Sequence, residues 1–255
     1  MGDISRLVRY PDGYLPAVTT ARYLEGKTRV LIVGDSGGRD WQYLTAIGGM
    51  HITQLDISPQ PEILDLVVQS IEDRTPFNDN EFDGIVMNEV LEHLYDDLGS
   101  LREVRRILKP NGVLIASVPA SRRQDRADFH VRIHTERTFR RLLAAAGFAP
   151  EEFFARGFVA RLPQLTRVTR IVFLAPQLVL MRMGKDPLAA AHAINGPLER
   201  LERYLGTRRW LRPIQAMSLS YGFMVKARPA PPVDPAMVQV ASFQKTNRPA
   251  ANVWK

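Results

Sequence analysis

The chain has 255 residues, which is enough for one large α/β domain or for a core domain with a modest addition. It contains no cysteine, which excludes disulfide bonds, thiolate metal sites and a cysteine nucleophile. The net charge of +7 is uneven, because residues 1–119 hold 11 Lys and Arg against 18 Asp and Glu, whereas residues 120–228 hold 20 against 8. This division indicates either two surfaces with different partners or an arginine-rich face in contact with solvent.

The N-terminal residues lack the apolar core of a signal peptide. The longest apolar stretch, 171–181, is interrupted by Pro176 and Gln177 and is shorter than the roughly 20 residues that a membrane span needs. We therefore expect a cytoplasmic location, with association to a membrane surface left open.

Over the first 155 or so residues, apolar runs alternate with segments of helical spacing. The runs predict buried strands over 28–34, 51–56, 82–87 and 113–118. Helices are predicted over 40–47, 90–108 and 136–146, with Thr135 as an N-cap and Gly147 as a C-cap, and a turn is predicted at 110–112. This order is typical of a doubly wound, mostly parallel sheet.

The pattern changes after Phe158. Residues 159–218 are arginine-rich, helical in spacing and punctuated by prolines, and a last strand is predicted over 220–227. We expect an N-terminal segment (1–27), an α/β core (28–158 and 219–228), a basic helical insertion or cap (159–218) and a flexible tail (229–255). The insertion precedes the last strand.

Two features of the first strands indicate a nucleoside cofactor. Gly34-Asp35-Ser36-Gly37-Gly38 follows the first strand, where glycine allows positive φ and close approach of a ligand to the backbone. The spacing is not the G-x-G-x-x-G of dinucleotide sites. Asp56 ends the second strand, where a carboxylate can accept both hydroxyls of a ribose.

Five segments together resemble the class I S-adenosylmethionine-dependent methyltransferases. They occur in the order and with the spacing usual for that family, over about residues 28–158. The segments are Val30–Gly38, Leu55–Ser58, Ile71–Phe77, Phe82–His93 and Leu108–Gly112.

The resemblance implies a Rossmann-like, mostly parallel seven-stranded sheet with helices on both faces, and S-adenosylmethionine as cofactor. By position, the glycine loop would hold the methionine end of the cofactor and Asp56 its ribose. Two departures are Ile32, where relatives usually carry an acid, and Ser36, where they carry glycine. The implied cofactor-binding residues are Gly34, Asp35, Ser36, Gly37, Gly38, Asp56, Ile57, Ile71, Glu72, Asn88 and Glu89.

Glu89, Glu92 and His93 follow the fourth strand at positions i, i+3 and i+4, which predicts one shared helical face. Three interpretations remain open: a general base, a divalent metal site, or a structural role. Relatives that methylate small RNAs or ubiquinone precursors hold a metal with a similar E-x-x-E-H segment. The RNA enzymes add a histidine five residues before a helix-opening threonine, as His130 stands before Thr135. The catalytic candidates are therefore His93, Glu89 and His130, and the metal candidates are Glu89, Glu92, His93 and His130.

Arg132, in the polar segment between His130 and Thr135, is a further candidate, for gripping a carboxylate or phosphate, or is simply part of a polar loop. The leading functional hypothesis is O-methylation of a small molecule, sugar or lipid-linked metabolite. The alternatives are a 2′-O-type RNA methyltransferase, disfavoured because no aromatic-rich basic platform is visible, and a non-catalytic binding protein. Residues 160–217 are a candidate for peripheral membrane contact or for a homodimer interface.

Overall fold

The computed structural model describes residues 11–35, 38–59, 65–120, 129–157, 187–211 and 222–233, together with 179, 182–184 and 213. Five α-helices and seven strands lie in these ranges. The helices are α1 (Pro11–Tyr23), α2 (Arg39–Ile47), α3 (Asp97–Ile107), α4 (Glu136–Ala145) and α5 (Pro187–Gly206). The strands are β1 (Arg29–Val33), β2 (His51–Asp56), β3 (Leu66–Val68), β4 (Phe82–Asn88), β5 (Leu108–Pro119), β6 (Phe148–Arg156) and β7 (Gly222–Pro229).

The strands form one sheet in the order β3-β2-β1-β4-β5-β7-β6, in which only β7 runs antiparallel to its neighbours. The chain winds outwards from β1 to β3 and then returns to pair β4 with the other side of β1. Ligands of open α/β sheets bind at such a switch point, outside the carboxyl ends of the strands. The predicted α/β fold with a mostly parallel seven-stranded sheet is confirmed.

Both faces of the sheet are covered, which explains why its strands read as nearly continuous apolar runs. In β1, Leu31 and Val33 face a core that α3 and α4 complete, whereas Val30 and Ile32 face the side that carries α1 and α2. α5 lies on that second side, where it contacts α1 and β6. Helix α1 therefore packs on the sheet.

The single helix predicted over 90–108 is wrong. The structure has one turn of 3-10 helix at Leu91–His93, an extended Leu94, and then α3. Asp96 begins α3 because its side chain accepts a hydrogen bond from the Gly99 backbone N at 2.8 Å. Apolar spacing continues across this break, so the pattern alone did not reveal it.

Of two other local predictions one is confirmed and one is wrong, and one strand was not predicted. The N-cap predicted at Thr135 is confirmed, with a capping box that includes Thr138. The turn predicted at 110–112 is instead an irregularity within β5, where the pairing jumps from Leu108 opposite Phe82 to Val113 opposite Gly84. Strand β3 was not predicted, because a strand of three residues leaves no periodic pattern.

The segments outside the core are described in part. α5 lies in the predicted insertion, and residues 158–178 and 214–221 are outside the described residues. The backbone N atoms of Ala230 and Val233, at the start of the predicted flexible tail, donate hydrogen bonds to Gly147 and Ala144, and residues 234–255 are not described. None of the described helices is long and apolar enough to cross a membrane.

Candidate active site

A cavity of about 190 Å³ lies at the carboxyl edge of the sheet, beside the ends of β1, β2 and β4. It coincides with the switch point at which ligands of this architecture bind. The structure brings six of the predicted site residues to its wall, namely Gly34, Asp56, Ile57, Ile71, Glu89 and His93.

Gly34 directly follows β1 in a conformation that only glycine adopts easily, with φ of 66°. A Cβ atom there would lie 2.9 Å from Val90 Cγ2, so a side chain would press on the segment after β4. Gly38 also has positive φ and precedes α2, while Ser36 and Gly37 are outside the described residues. Asp35 is buried, and its Oδ2 accepts a hydrogen bond from the Trp41 backbone N at 2.8 Å.

Asp56 stands at the end of β2, buried, with its Oδ1 accepting a hydrogen bond from the Ser58 backbone N at 2.9 Å. This bond fixes the carboxylate at the cavity wall. Ile57 next to it is 74% exposed, whereas Ile71 is buried. The wall therefore combines one fixed carboxylate with two apolar side chains.

Two predicted residues are held elsewhere. Asn88 is buried, and its Nδ2 donates hydrogen bonds to Thr20 Oγ1 at 3.1 Å and Asp40 Oδ2 at 2.9 Å, so its amide ties β4 to α1 and α2. Glu72 Oε1 accepts a hydrogen bond from the Asp96 backbone N at 2.7 Å, which joins the turn after β3 to the start of α3. Neither residue lines the cavity.

Glu89 occupies the left-handed region with φ of 59°, although it is not glycine. Such a conformation persists only where the surroundings hold it. Its Oε1 accepts a hydrogen bond from Ser117 Oγ at 2.9 Å and forms an ion pair with Arg156. The side chain is thus fixed at the edge of the cavity by groups from β5 and β6.

Glu92 is 1% exposed. Burial, together with the negative charge of Glu89, raises the pKa of Glu92 to about 8. Its Oε2 has no hydrogen-bond partner within the described part of the chain. A buried carboxyl of this kind is costly unless it stays protonated or receives a cation.

His93 lies beside Glu92, with Nε2 3.8 Å from Glu92 Oε1. Its Nδ1 is 3.1 Å from the Phe129 carbonyl oxygen, and because a carbonyl only accepts, Nδ1 carries the proton. His130 completes the group, its ring centroid 4.9 Å from that of His93. One donor atom from each of Glu92, His93 and His130 can be chosen so that all three lie within 4.8 Å of one another.

The shared helical face predicted for Glu89, Glu92 and His93 is wrong, because Glu89 precedes the 3-10 turn in a left-handed conformation. Glu89 and His93 nevertheless both line the cavity. His130 comes close because the Val131 backbone N donates a hydrogen bond to the Glu92 carbonyl at 2.8 Å. The cluster is thus assembled by tertiary contacts.

Arg132 is engaged within the protein. Its guanidinium lies 2.5 Å from Asp97 Oδ2 and donates a hydrogen bond to the Tyr95 carbonyl at 2.7 Å. His134 Nε2 lies 3.9 Å from the same Asp97 oxygen, and burial lowers the pKa of His134. These contacts hold the 129–134 segment against the start of α3.

Comparison with known proteins gives a family match for the part of the chain that forms the cavity. Residues 31–116 match the family model described as "Methyltransferase domain". The match covers about a third of the chain and assigns residues 31–116 to the methyltransferase domains.

Curated relatives of this methyltransferase domain include ubiquinone biosynthesis O-methyltransferases. The protein of that name from Xanthomonas campestris pv. campestris is 32% identical over 101 residues, which are 35% of this chain and 42% of the relative. The one from Xanthomonas euvesicatoria pv. vesicatoria is 31% identical over 115 residues, 40% of this chain and 47% of the relative. The chain thus spans less than half the length of these relatives.

Solved structures similar to the chain show its fold. The 1,6-didemethyltoxoflavin-N1-methyltransferase of Burkholderia thailandensis, with bound S-adenosylhomocysteine, is 18% identical at a TM-score of 0.52, with 84% of this chain and 76% of that one covered. The cyclase SpnF is 19% identical at a TM-score of 0.53, with 84% and 80% covered.

The sequence did not reveal several residues that shape the site. Gln69 and Ser70 line the cavity and follow β3, the strand that left no pattern. Ser117 and Arg156 fix Glu89, and Phe129 orients His93, but each comes from a segment distant in the sequence. Site residues are recognised in a sequence by their regular spacing, and no regular spacing relates the segments that these contacts join.

Proposed function

We propose that the chain is an S-adenosylmethionine-dependent methyltransferase that methylates an oxygen atom of a small molecule, a sugar or a lipid-linked metabolite. The observation that carries this proposal is the cavity at the switch point, with Asp56 on its wall and Glu89 and His93 beside it. The domain family supports the cofactor, and the names of the curated relatives support an oxygen acceptor.

The residues present fit the cofactor. Gly34 leaves the backbone open where a side chain would meet Val90, Asp56 offers a fixed acceptor for ribose hydroxyls, and Ile57 and Ile71 offer apolar surface for a base. When bound, S-adenosylmethionine supplies a methyl group activated by its positively charged sulfur. The protein's part is to orient an acceptor oxygen and to exclude water.

His93 can act as a general base towards an acceptor hydroxyl. His93 carries its proton on Nδ1, which leaves Nε2 able to accept a proton from an acceptor hydroxyl. A proton gained by His93 would favour ionisation of Glu92, whose Oε1 lies 3.8 Å from Nε2, and the ion pair would then stabilise the imidazolium. Glu89 also lies on the cavity wall. This role for His93 is one of two that the cluster supports.

The second role is metal binding, and the compact group of Glu92, His93 and His130 favours it. One carboxylate and two imidazoles suit a divalent transition-metal ion, and the lone Glu92 oxygen has no other partner among the described residues. The residues therefore fit a cation that would lower the pKa of an acceptor hydroxyl. Activity that survives thorough chelation would reject this role and leave His93 as the base.

Two other functions remain as alternatives. An RNA 2′-O-methyltransferase would use the same His130 and the basic region. In that case the chain should bind RNA, and the affinity should fall steeply as the salt concentration rises. A non-catalytic binding protein that retains the fold is the third candidate, since a fold alone does not decide function.

Calorimetric titration with S-adenosylhomocysteine tests the proposal. The wild type should bind, while Asp56→Ala should weaken binding at least tenfold and Asp73→Ala, which alters an exposed acid outside the cavity wall, should not. Gly34→Ala should also abolish binding, whereas Gly49→Ala should not. Both glycines have positive φ, but only at Gly34 would a new Cβ atom meet a neighbouring side chain. Absence of binding by folded wild-type protein would overturn the proposal.

A further inference from the structure

In the second half of α5, residues 196–206, two acidic side chains are buried and two apolar side chains are exposed, which reverses the usual arrangement. Glu199 and Glu202 are 2% and 3% exposed, whereas Leu201 is 44% and Tyr204 58% exposed. Acidic residues are rarely buried, and a helix on a protein surface normally turns its apolar side inwards. The sequence of α5 thus leaves apolar surface facing solvent.

The buried acids are held by specific partners. Glu199 Oε1 accepts a hydrogen bond from Thr19 Oγ1 at 3.2 Å, and its Oε2 lies 3.6 Å from the Arg22 guanidinium. Glu202 Oε1 accepts a hydrogen bond from the Gly157 backbone N. These bonds fix the rotation of α5 about its axis, because turning Leu201 and Tyr204 inwards would break them and leave buried charges unpaired.

The exposed side continues past the end of α5. The Arg208 guanidinium lies 4.5 Å from the centre of the Tyr204 ring, and Trp210, in the following 3-10 turn, is 74% exposed. Buried Leu211 anchors that turn. We call Arg200, Leu201, Tyr204, Arg208 and Trp210 the outer face of α5.

Charge decides which partner fits the outer face. Its two charged members are arginines, and the adjacent Thr207 and Arg209 add no acid, although Arg209 lies 3.7 Å from Glu136 of α4. A second copy of the chain would bring arginine against arginine. An anionic partner is therefore favoured. Tryptophan, tyrosine and leucine beside arginine are the set that inserts between lipid headgroups, where amphipathic rings and cations are both accommodated.

We propose that the outer face of α5 docks the chain on the surface of an anionic phospholipid bilayer. Glu202 binds Gly157, the residue after Arg156, which in turn pairs with Glu89. The docking helix is therefore anchored at the sheet edge that carries the candidate active site. The proposal does not depend on methyl transfer, since the outer face shares no residue with the cavity.

Co-sedimentation of the full chain with vesicles tests the proposal. Vesicles of phosphatidylcholine with phosphatidylglycerol should bind the chain, and pure phosphatidylcholine vesicles should bind it at least tenfold more weakly. The Tyr204→Ala/Trp210→Ala protein should lose at least tenfold in affinity. Arg200→Gln and Arg208→Gln should each cost about fivefold, which is the usual effect of one cation near such a surface.

Matched controls separate the outer face from general charge and exposed aromatic surface. Arg102→Gln removes an exposed arginine from α3, and Tyr95→Ala removes a tyrosine that is more exposed than Tyr204, so both should bind as the wild type does. If the double alanine variant melts earlier than the wild type, Leu201→Gln replaces it.

Four results would overturn the proposal. One is absence of binding to anionic vesicles by folded protein, and another is an equal loss with Arg102→Gln. The third is displacement of vesicle-bound protein by low concentrations of single-stranded oligouridylate, which would assign the face to nucleic acid. A dimer in sedimentation velocity that Trp210→Ala dissociates would assign it to a second copy and likewise reject a bilayer.

Discussion

Arg156 at the end of β6 forms an ion pair with Glu89, directly after β4, although two strands separate β6 from β4 in the sheet. Gly222 makes this reach possible. It lies opposite Arg156 in β7, and a Cβ atom there would be 3.0 Å from Arg156 Nε and 2.4 Å from the Val118 carbonyl oxygen. The guanidinium therefore crosses β7 over a residue without a side chain.

The pair places a cation beside two acids at the edge of the cavity. Glu89 keeps a left-handed backbone, and its carboxylate is fixed by Arg156 and by Ser117 Oγ. The positive charge of Arg156 also acts on buried Glu92, against burial and against the charge of Glu89. Removal of Arg156 would therefore leave two neighbouring acids without their cation.

Replacement of Arg156 should show coupling to Glu89 in stability. Arg156→Gln is expected to lower the free energy of unfolding by about 2–4 kcal/mol, because it leaves a partly buried carboxylate without its partner. In the double variant Glu89→Gln/Arg156→Gln, much of this loss should return. Urea denaturation of the four proteins gives the coupling energy, which we expect to exceed about 1 kcal/mol. A coupling near zero would mean that the two side chains do not act on each other in solution.

Gly222→Ala should destabilise the fold through a steric clash and not through the change in backbone entropy that usually accompanies replacement of glycine. The new Cβ would meet the Val118 carbonyl and push Arg156 away, so we expect a loss of about 1–3 kcal/mol. Gly196 in α5 is the matched control, because its Cβ would meet nothing within 4 Å. Gly196→Ala should be neutral or stabilise by up to about 1 kcal/mol. Equal effects of the two substitutions on urea denaturation would contradict the crossing of Arg156 over Gly222.

The sequence predicted those parts of the site that depend on neighbouring residues. Gly34 and Asp56 were found because a parallel strand ends at each, and such ends meet at one edge of a sheet. Arg156 and Gly222 were not found, because the β6–β7 pairing joins segments far apart in the chain. The break before α3 was missed for another reason. Apolar spacing runs through it, and the Asp96 cap is a local bond that periodicity does not record.

The basic insertion shows that the sequence alone also does not predict which face of a helix is buried. Its charge and helical spacing were visible in the sequence, but the rotation of α5 was not. Buried Glu199 and Glu202 depend on Thr19 and Gly157, which lie far from them in the chain. Apolar periodicity predicts that the apolar residues of α5 are buried. The tertiary hydrogen bonds of the two acids instead turn those residues towards solvent.

Acid should weaken the loop before β4 through Glu103. Burial alone would raise the pKa of Glu103, but hydrogen bonds from Arg106 and Thr75 outweigh it and hold that pKa at about 2. Since this lies below the ordinary value of 4.5, the unfolded state binds the proton more readily. The carboxylate therefore stabilises the fold above about pH 4.5, and this contribution is lost as the pH falls towards 2.

The Glu103→Gln variant checks this window. It should unfold about 1–3 kcal/mol more easily than the wild type at pH 7, and the difference should shrink as the pH falls from about 4.5 to 2. Thermal melts across that range measure it. Glu25→Gln, which changes an exposed acid after α1, should track the wild type throughout. A difference that stays constant with pH would assign the effect to packing rather than to ionisation.

Divalent metal should raise the melting temperature if Glu92, His93 and His130 bind it together. At a free Mn²⁺ or Zn²⁺ concentration of about 100 times the dissociation constant, binding to the folded state alone is worth about 2.7 kcal/mol, or roughly 5–10 °C for a chain of this size. Glu92→Gln and His93→Ala each remove one donor from the group and should abolish most of this rise. Differential scanning calorimetry with and without metal measures it.

His51 supplies the matched control for the metal experiment. Its Nε2 lies 3.6 Å from Asp65 Oδ2, so it also pairs an imidazole with a carboxylate, but at an exposed position and without a third donor in the described residues. His51→Ala should therefore keep the full rise in melting temperature. If His51→Ala and His93→Ala lost equal shares, the metal would be binding to surface histidines in general. The cluster beside the cavity would then act through His93 as a base, with Glu92 supporting its charge.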